Sequence, residues 1–433
     1  MTGTLLIDSL AHGGSGVGRC DDGKVCFVPH TAPGDRVSFR VVKEKRGFRE
    51  GELISILDPS PLRVVPPCPN AGRCGGCQWQ HLRPDAQLEA KRRILEGFLS
   101  RLPFPSPPIE PIPSPVAWGY RFRAQFKLRV VAGRLLVGFY GTGSHRVVPL
   151  PESGCPVLTP RLNDAVRVME ELVARSPAPD TVPQVDIAHG DGGGCVATIH
   201  LLERDHERMI SYFSRQMGEL PGIDSLLLQR GRKKSLALLR GDGALSYVCR
   251  TGEHPLTLRV SQGGFFQGNL FQNRAMVERV NRFVSRMAPR SILDLYCGNG
   301  NFSLSVASPG VAVTGVEEYA GSVEDARFNA RSCGIDPEFL VGDATEVVQR
   351  LVAEGRRYEL VIVDPPRTGA PRTIGQIPLL GPDLVVSVSC DPATLVRDLR
   401  PLLVSGYRID EVLLFDLFPQ TFHIETVMTL VRG

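Results

Sequence analysis

A cysteine that ends an apolar run and is followed by Asp-Pro is the strongest chemical signal in this chain. Cys390 closes Val385-Val-Ser-Val-Ser-Cys-Asp-Pro392 and lies 26 residues after Asp364-Pro-Pro-Arg367. An α/β sheet delivers its reactive side chains to the carboxyl edge of its strands. That placement predicts a nucleophilic thiol, against the commoner fate of a free cysteine as a small buried hydrophobe. Upstream, Ile292-Leu-Asp-Leu-Tyr-Cys-Gly-Asn-Gly-Asn-Phe302 reads as a strand entering a glycine-rich turn on which a nucleotide-like cofactor can lie.

The elements that must hold this thiol follow from periodicity. From about Ser261 strands alternate with helices, and Asp294, Glu317, Asp343, Asp364 and Cys390 recur at predicted strand ends with gaps of 23, 26, 21 and 26 residues. Each gap fits one strand plus its crossover helix, the pattern of a doubly wound sheet. Glu317, in Val313-Thr-Gly-Val-Glu317, stands where a carboxylate receives cofactor ribose hydroxyls. The turn Gly298-x-Gly300 lacks the third glycine of the dinucleotide fingerprint and is weak evidence alone. Together with Asp364-Pro-Pro-Arg367 it favours S-adenosylmethionine.

Eleven cysteines in a long chain without a secretory leader point to metal or catalysis before disulfides. Cys68, Cys74 and Cys77 lie on a segment broken by Pro66, Pro67, Pro69, Gly75 and Gly76, where no regular element keeps the thiols apart. Cys155, in Ser153-Gly-Cys-Pro156, is the best fourth ligand. Four thiolates suit a tetrahedral zinc or a 4Fe-4S cluster. The remote fourth thiol tilts the choice to iron, because zinc ribbons usually pair two short knuckles.

Residues 1–60 carry turn signals every eight to twelve residues, among them His12-Gly-Gly-Ser-Gly16 and Ala32-Pro-Gly-Asp35, and predict a small β-barrel. Arg40, Lys43, Lys45, Arg46 and Arg49 near its end fit a phosphate-facing patch or a solvated strand edge equally well. A helix is expected over 85–99 and a proline-rich connector over 103–115. Residues 120–150 contain six Lys or Arg and no Asp or Glu. Within them Arg121, Arg123, Lys127 and Arg129 alternate with apolar residues, so one strand face is cationic and suited to an RNA backbone. A second cluster, Arg230, Arg232, Lys233 and Lys234, is expected on a turn between strands. The domains expected are 1–60, a barrel; 61–260, a central α+β unit with the cysteine loop; and 261–433, the doubly wound unit.

Composition excludes some classes. A chain that is 42% hydrophobic and 22% charged is of ordinary globular type, and its net charge of +4 cannot by itself argue for nucleic acid. No run approaches the roughly 18 apolar residues of a membrane span. A cytoplasmic protein without membrane association, acting as a monomer, is the expectation.

Together these residues resemble the iron-sulfur RNA uracil-5-methyltransferases, most closely the large-subunit rRNA branch, nearly end to end. The barrel is similar to their TRAM domain, with Pro33-Gly-Asp35 and Ser60-Pro-Leu-Arg63 at the expected places. The resemblance implies that Cys68, Cys74, Cys77 and Cys155 ligate a 4Fe-4S cluster, with Gly76-Cys-Gln-Trp-Gln-His81 completing that signature. Phe265-Phe-Gln-Gly-Asn269 matches the motif that opens the catalytic domain, which gives Gln267 a cofactor contact; Tyr296, Gly298, Glu317, Asp343 and Asp364 fall on further cofactor positions. Phe418-Pro-Gln-Thr-Phe-His-Ile-Glu425 matches the segment that carries the general base. Ser387, Gly268 and Phe122 depart from the family's tyrosine, valine and polar residue, which bears on substrate fit more than on the reaction.

The implied reaction explains the residue types. Carbon 5 of uracil is a poor nucleophile until a thiolate adds at carbon 6 and turns the ring into an enolate; Cys390 would supply that thiolate. After methyl transfer Glu425 would remove the proton left on carbon 5. The uracil must leave its stack to be reached, and Phe265, Phe266 and His423 are candidates to hold it. The resemblance puts rRNA ahead of tRNA as substrate. An amino-group methyltransferase would carry an aromatic residue where Arg367 stands and has no use for the thiol. A noncatalytic RNA-binding or RNA-folding protein would not need Gly298, Glu317, Asp364, Cys390 and Glu425 intact. Radical chemistry would call for Cys-x3-Cys-x2-Cys, which is absent.

Overall fold

The structure is a computed structural model and describes residues 1–433 except 203–205, 217–219, 232–234, 251–254, 262 and 309. Six short strands from Thr2–Leu6 to Phe48–Asp58 form the N-terminal barrel around Leu5, Ile7, Cys26, Val28, Val37 and Phe39. Asp35, fully buried, follows Gly34 in its left-handed turn (φ 91°). Its carboxylate accepts from the Ala32 N–H at 2.6 Å, the Ser60 N–H at 2.9 Å and the Arg63 guanidinium at 2.6 Å. The two barrel motifs expected from sequence therefore close on one another, and a buried carboxylate with this many donors is satisfied. Of the basic residues near the barrel's end, Arg40 pairs with Glu52, Lys43 with Glu50, and Arg49 with Asp22 and Glu44. For Arg40 and Lys43 this fits the solvated-edge reading, whereas Arg49 is buried and fits neither.

The expected helix is present as Pro84–Leu99, and the glycine- and proline-broken cysteine segment precedes it without regular structure. Seven strands make the central sheet, in the order Val147–Pro149, Arg134–Tyr140, Arg123–Val131, Gln184–His189, Cys195–Leu201, Ser225–Arg230, Ser235–Arg240. The helix Pro160–Ala174 packs on it through Leu162, Val166 and Met169. Phe122, Ala124, Phe126 and Leu128 are buried as the alternation predicted.

The C-terminal sheet has eight strands, in the order Glu338–Val341, Ala312–Glu317, Ser291–Leu295, Leu360–Val363, Leu384–Ser389, Glu425–Arg432, Tyr407–Phe415, Ile109–Ile112. The first five run parallel and Glu425–Arg432 runs antiparallel between two neighbours. Leu360–Val363 and Leu384–Ser389 are buried at every position, as parallel strands covered by helices on both faces must be. The eighth strand comes from the stretch expected to be a connector and pairs parallel with Tyr407–Phe415, Val412 opposite Ile109. Its neighbouring prolines hid it, since an edge strand tolerates them. Among the described residues no helix is long and apolar enough to cross a membrane.

Candidate active site

The carboxyl ends of four adjacent parallel strands carry the predicted acids Asp343, Glu317, Asp294 and Asp364. Asp294 lies under the glycine turn, where its Oδ2 accepts from the Ser303 N–H at 3.0 Å. The turn itself needs left-handed backbone, at φ 64° for Tyr296, 55° for Gly298 and 89° for Gly300. Glu317, one strand over, accepts from the Gly298 N–H at 3.2 Å and the Tyr319 N–H at 2.9 Å, so the turn and the neighbouring strand end are tied together. Tyr296 donates or accepts at Thr373 Oγ1 (3.1 Å), which in turn meets Thr345 Oγ1 (2.9 Å). From behind, the buried Tyr247 hydroxyl donates to Asn299 and Asn301, and Asn301 exchanges amide bonds with Asn273. Asp343 caps the helix Ala344–Ala353, its Oδ1 accepting from Thr345 and Glu346 N–H groups. Gln267 is half-buried in the segment after Phe266. A cavity of about 1080 Å³ opens beside these groups, lined by Glu317, Tyr319, Phe266, Arg123, Asp186 and His200 among others.

Cys390 sits at the end of Leu384–Ser389, and Glu425 begins the antiparallel strand beside it, with Ser389 in register with Thr426. Burial, then the charge of Glu425, pushes the Cys390 thiol up to about 12, against the Arg367 guanidinium, which draws it down. Burial, then the charge of Asp364, holds Glu425 well above the usual carboxylate range, again with Arg367 opposing. Burial alone brings Asp364 to about 7; burial, with Asp364 and Glu317 adding to it, brings Asp294 to about 7. These are one electrostatic unit, in which ionising one member makes the next harder to ionise. Arg367 is its counter-charge. His423 stands 3.4 Å from Arg367 and, through burial and then the repulsion of Arg367, is driven down to about 4, so its ring is neutral. Phe418 and Phe422 flank it. From the barrel, His12 reaches to 4.0 Å from Asp391 and packs edge-on to Phe422. Such a cluster can hold a thiol and a carboxylate ready to exchange protons with a planar ring laid between them.

The basic strand is less uniform than its sequence. Arg121 lies over the Phe418 ring and Arg123 over Phe265 and Phe266, while Lys127 donates to Gln184 and Arg129 is exposed. Asp186 of the next strand is in register with Gln125, so an acid shares the face that had none within its own strand. Burial, ahead of the repulsion of Arg121, draws Arg123 below its ordinary value. Of the second basic cluster, Arg232, Lys233 and Lys234 lie outside the described residues.

Cys68, Cys74, Cys77 and Cys155 are all free thiols. Burial and then the charges of Cys155 and Cys74 push Cys77 up to about 12, and burial ahead of Cys68 and Cys74 pushes Cys155 to about 11. The four thus share one neighbourhood. Among the described residues, however, no group of three or more His, Cys, Asp or Glu side chains could hold a metal ion, so the expected four-thiolate cage is not formed. The loops bring the thiols within electrostatic reach without closing them round one point.

Arg367, His12, Lys91 and Gln420 were not singled out as functional from the sequence. For Arg367 the signal was present in Asp364-Pro-Pro-Arg367; the others depend on contacts hundreds of residues apart.

Comparison with known proteins agrees with this arrangement. Residues 215–433 match the family model described as tRNA (Uracil-5-)-methyltransferase, and residues 2–54 match the TRAM domain. An uncharacterized RNA methyltransferase of Gloeobacter violaceus is 35% identical over 100% of this chain and 97% of its own length. The 23S rRNA (uracil(1939)-C(5))-methyltransferase RlmD of Thiobacillus denitrificans is 34% identical over 100% of both chains. The crystal structure of the Pyrococcus abyssi tRNA (uracil-54, C5)-methyltransferase, in complex with S-adenosyl-L-homocysteine, superposes with a TM-score of 0.76 at 27% identity, covering 99% of each chain.

Proposed function

The chain belongs to the tRNA (uracil-5-)-methyltransferase family and is an S-adenosylmethionine-dependent RNA uracil-5-methyltransferase, and we propose that its substrate is a uridine of 23S rRNA, methylated through a covalent Cys390 adduct. The observation that carries the mechanism is the convergence at one sheet edge of the half-buried Cys390 thiol and the buried Glu425 carboxyl, with the Arg367 guanidinium acting on both. Full-length likeness to relatives named as 23S rRNA enzymes supports the choice of RNA. The likeness to a tRNA enzyme of known structure makes tRNA the second reading.

In this reading Cys390 loses its proton to solvent and the thiolate sulfur adds to carbon 6, the ring's π electrons moving to the carbonyl oxygen as an enolate. Arg367, whose charge already draws the thiol's pKa down, stabilises the thiolate that attacks and later leaves. When bound, S-adenosylmethionine would supply the methyl group that the enolate takes at carbon 5, leaving as S-adenosylhomocysteine. Glu425 then takes the carbon-5 proton, the carbon–sulfur bond breaks, and Cys390 is released. Its raised pKa makes Glu425 a stronger base than an ordinary carboxylate once ionised. Gln267, Tyr296, Gly298, Glu317, Asp343 and Asp364 hold the cofactor along the glycine turn, and Arg121, Arg123, Lys127 and Arg129 face the RNA. Cys68, Cys74, Cys77 and Cys155 would hold a 4Fe-4S cluster, for which the support is a donor set made wholly of thiols whose charges act on one another.

Mapping 5-methyluridine by mass spectrometry in total RNA from a strain lacking the gene tests the substrate. Loss at one 23S position is expected; loss in tRNA with rRNA unchanged decides for the second reading.

A further inference from the structure

The residues 416–424 join the last two strands of the catalytic sheet, whose ends Phe415 and Glu425 stand opposite each other. A tight hairpin needs about two to five residues there. This connection is longer, and its first five carbonyls all accept from donors outside it. Gln272 Nε2 donates to the Asp416 carbonyl (3.3 Å), Asn269 Nδ2 to Leu417 (3.0 Å), Lys91 Nζ to Phe418 (3.0 Å) and the Tyr120 hydroxyl to Pro419 (2.8 Å). The Gln78 and Trp79 N–H groups, directly after Cys77, both donate to the Gln420 carbonyl at 3.0 Å.

Two side chains bear most of this arrangement. Lys91, fully buried in the helix Pro84–Leu99, places its Nζ 2.6 Å from Asp416 Oδ1. Gln420, also buried, holds φ at 71°, a left-handed conformation that a non-glycine residue seldom keeps. Its amide is locked against Gln87, the Gln420 N–H donating to Gln87 Oε1 at 2.7 Å and Gln87 Nε2 donating to Gln420 Oε1 at 2.9 Å. Strained backbone persists where its surroundings over-determine it, and it gathers at functional sites. The segment held this way carries Phe418, Phe422 and His423 to the rim of the Cys390 site and ends at Glu425.

We infer that Lys91 and Gln420 are positioning residues for the removal of the carbon-5 proton, fixing the 416–420 turn so that Glu425 and His423 meet the methylated ring. The inference rests on Glu425 being the general base. It also makes the segment after Cys77 part of the catalytic loop's support, through backbone donors that no side-chain substitution removes.

The test uses the full-length enzyme with four variants: Gln420→Ala, Gln420→Gly, Glu425→Gln, and Lys91→Met combined with Asp416→Asn, which replaces the buried pair without stranding a charge. S-adenosylhomocysteine binding and melting temperature report the fold, and single-turnover transfer of labelled methyl is followed together with release of RNA from the protein. In Gln420→Ala and the double variant, methyl transfer should stay within a few-fold of wild type while elimination slows by about 100-fold, the cost of a small misplacement of a catalytic group. A labelled RNA–protein adduct that survives denaturing gels should then accumulate. Gln420→Gly, which keeps the left-handed turn, should recover about tenfold of that loss. Equal slowing of both steps, or no slowing of either, in variants that bind S-adenosylhomocysteine normally overturns the inference. If Glu425→Gln makes no adduct, the base assignment fails and the inference falls with it. Should Glu425→Gln make the adduct while the turn variants do not, only the positioning role is lost.

Discussion

The two cysteine-bearing regions of this enzyme are built on opposite principles. Cys390 ends a fully buried strand, where register with Glu425–Arg432 and Leu360–Val363 fixes its neighbours. The thiols of Cys68, Cys74, Cys77 and Cys155 sit on irregular segments and share a neighbourhood without forming a cage. A sheet sets side-chain positions through hydrogen bonds repeated along its length, so a site on its edge is assembled by folding alone. Loops set positions only as well as their local contacts allow. The contrast teaches that the first site is preorganised by its sheet and the second is not.

The largest effects should come from breaking the sheet-edge site. Cys390→Ala should abolish both 5-methyluridine and the covalent adduct, with cofactor binding intact. Glu425→Gln should lower turnover by about 10²- to 10⁴-fold, the span of general base catalysis, and trap a Cys390-dependent adduct on denaturing gels. Normal turnover in either variant refutes the assignment.

Next is the loop site, where the effect falls on metal content and stability. Anaerobically purified protein should be brown and hold about four iron and four sulfide per chain, and Cys155→Ser should lose most of both. Its melting temperature should fall, because a group bound only by the folded state stabilises it, while S-adenosylhomocysteine binding at the sheet edge persists. A colourless wild-type protein with stoichiometric zinc would make the loop a zinc site.

A smaller change sharpens the electrostatic half of the comparison. Burial pushes the Cys390 thiol up to about 12, so below that pH its thiolate fraction grows tenfold with each unit that the pH rises. The rate of adduct formation should therefore rise with pH between 6 and 9 by about one log unit per pH unit. Arg367 lowers the pKa, so Arg367→Met should slow adduct formation about tenfold at neutral pH for each unit the thiol rises. An unchanged rate at neutral pH in that variant would show that Arg367 does not act on the thiol. The smallest effect belongs to the exposed Arg129: Arg129→Ala should reduce the salt dependence of RNA binding by a slope of up to about 0.7. An unchanged slope would leave Arg129 a solvated surface residue.

The legible parts of the molecule were those governed by short-range periodicity. Asp294, Glu317, Asp364 and Cys390 were found at strand ends because strand and helix periods count residues along the chain. The cationic strand was legible as alternation, yet Asp186 on its neighbour was not, since pairing across strands is not written in either one. Lys91, Gln420 and His12 were invisible for the same reason: Lys91 meets Asp416 and Gln87 meets Gln420 over more than 320 residues of chain. Ile109–Ile112 was missed because prolines mask an edge strand.

That strand has a consequence for how the molecule can be divided. Ile109–Ile112 belongs to the catalytic sheet although it precedes the rest of that sheet by some 180 residues, Ser291 being the next strand to begin. A gene fragment starting at residue 261 would encode every group of the sheet-edge site and still leave the Tyr407–Phe415 strand without its outer partner. Bare strand edges recruit other chains, so such a fragment should aggregate. A synthetic peptide spanning 105–116, added during refolding, should keep it in solution by completing the sheet from outside.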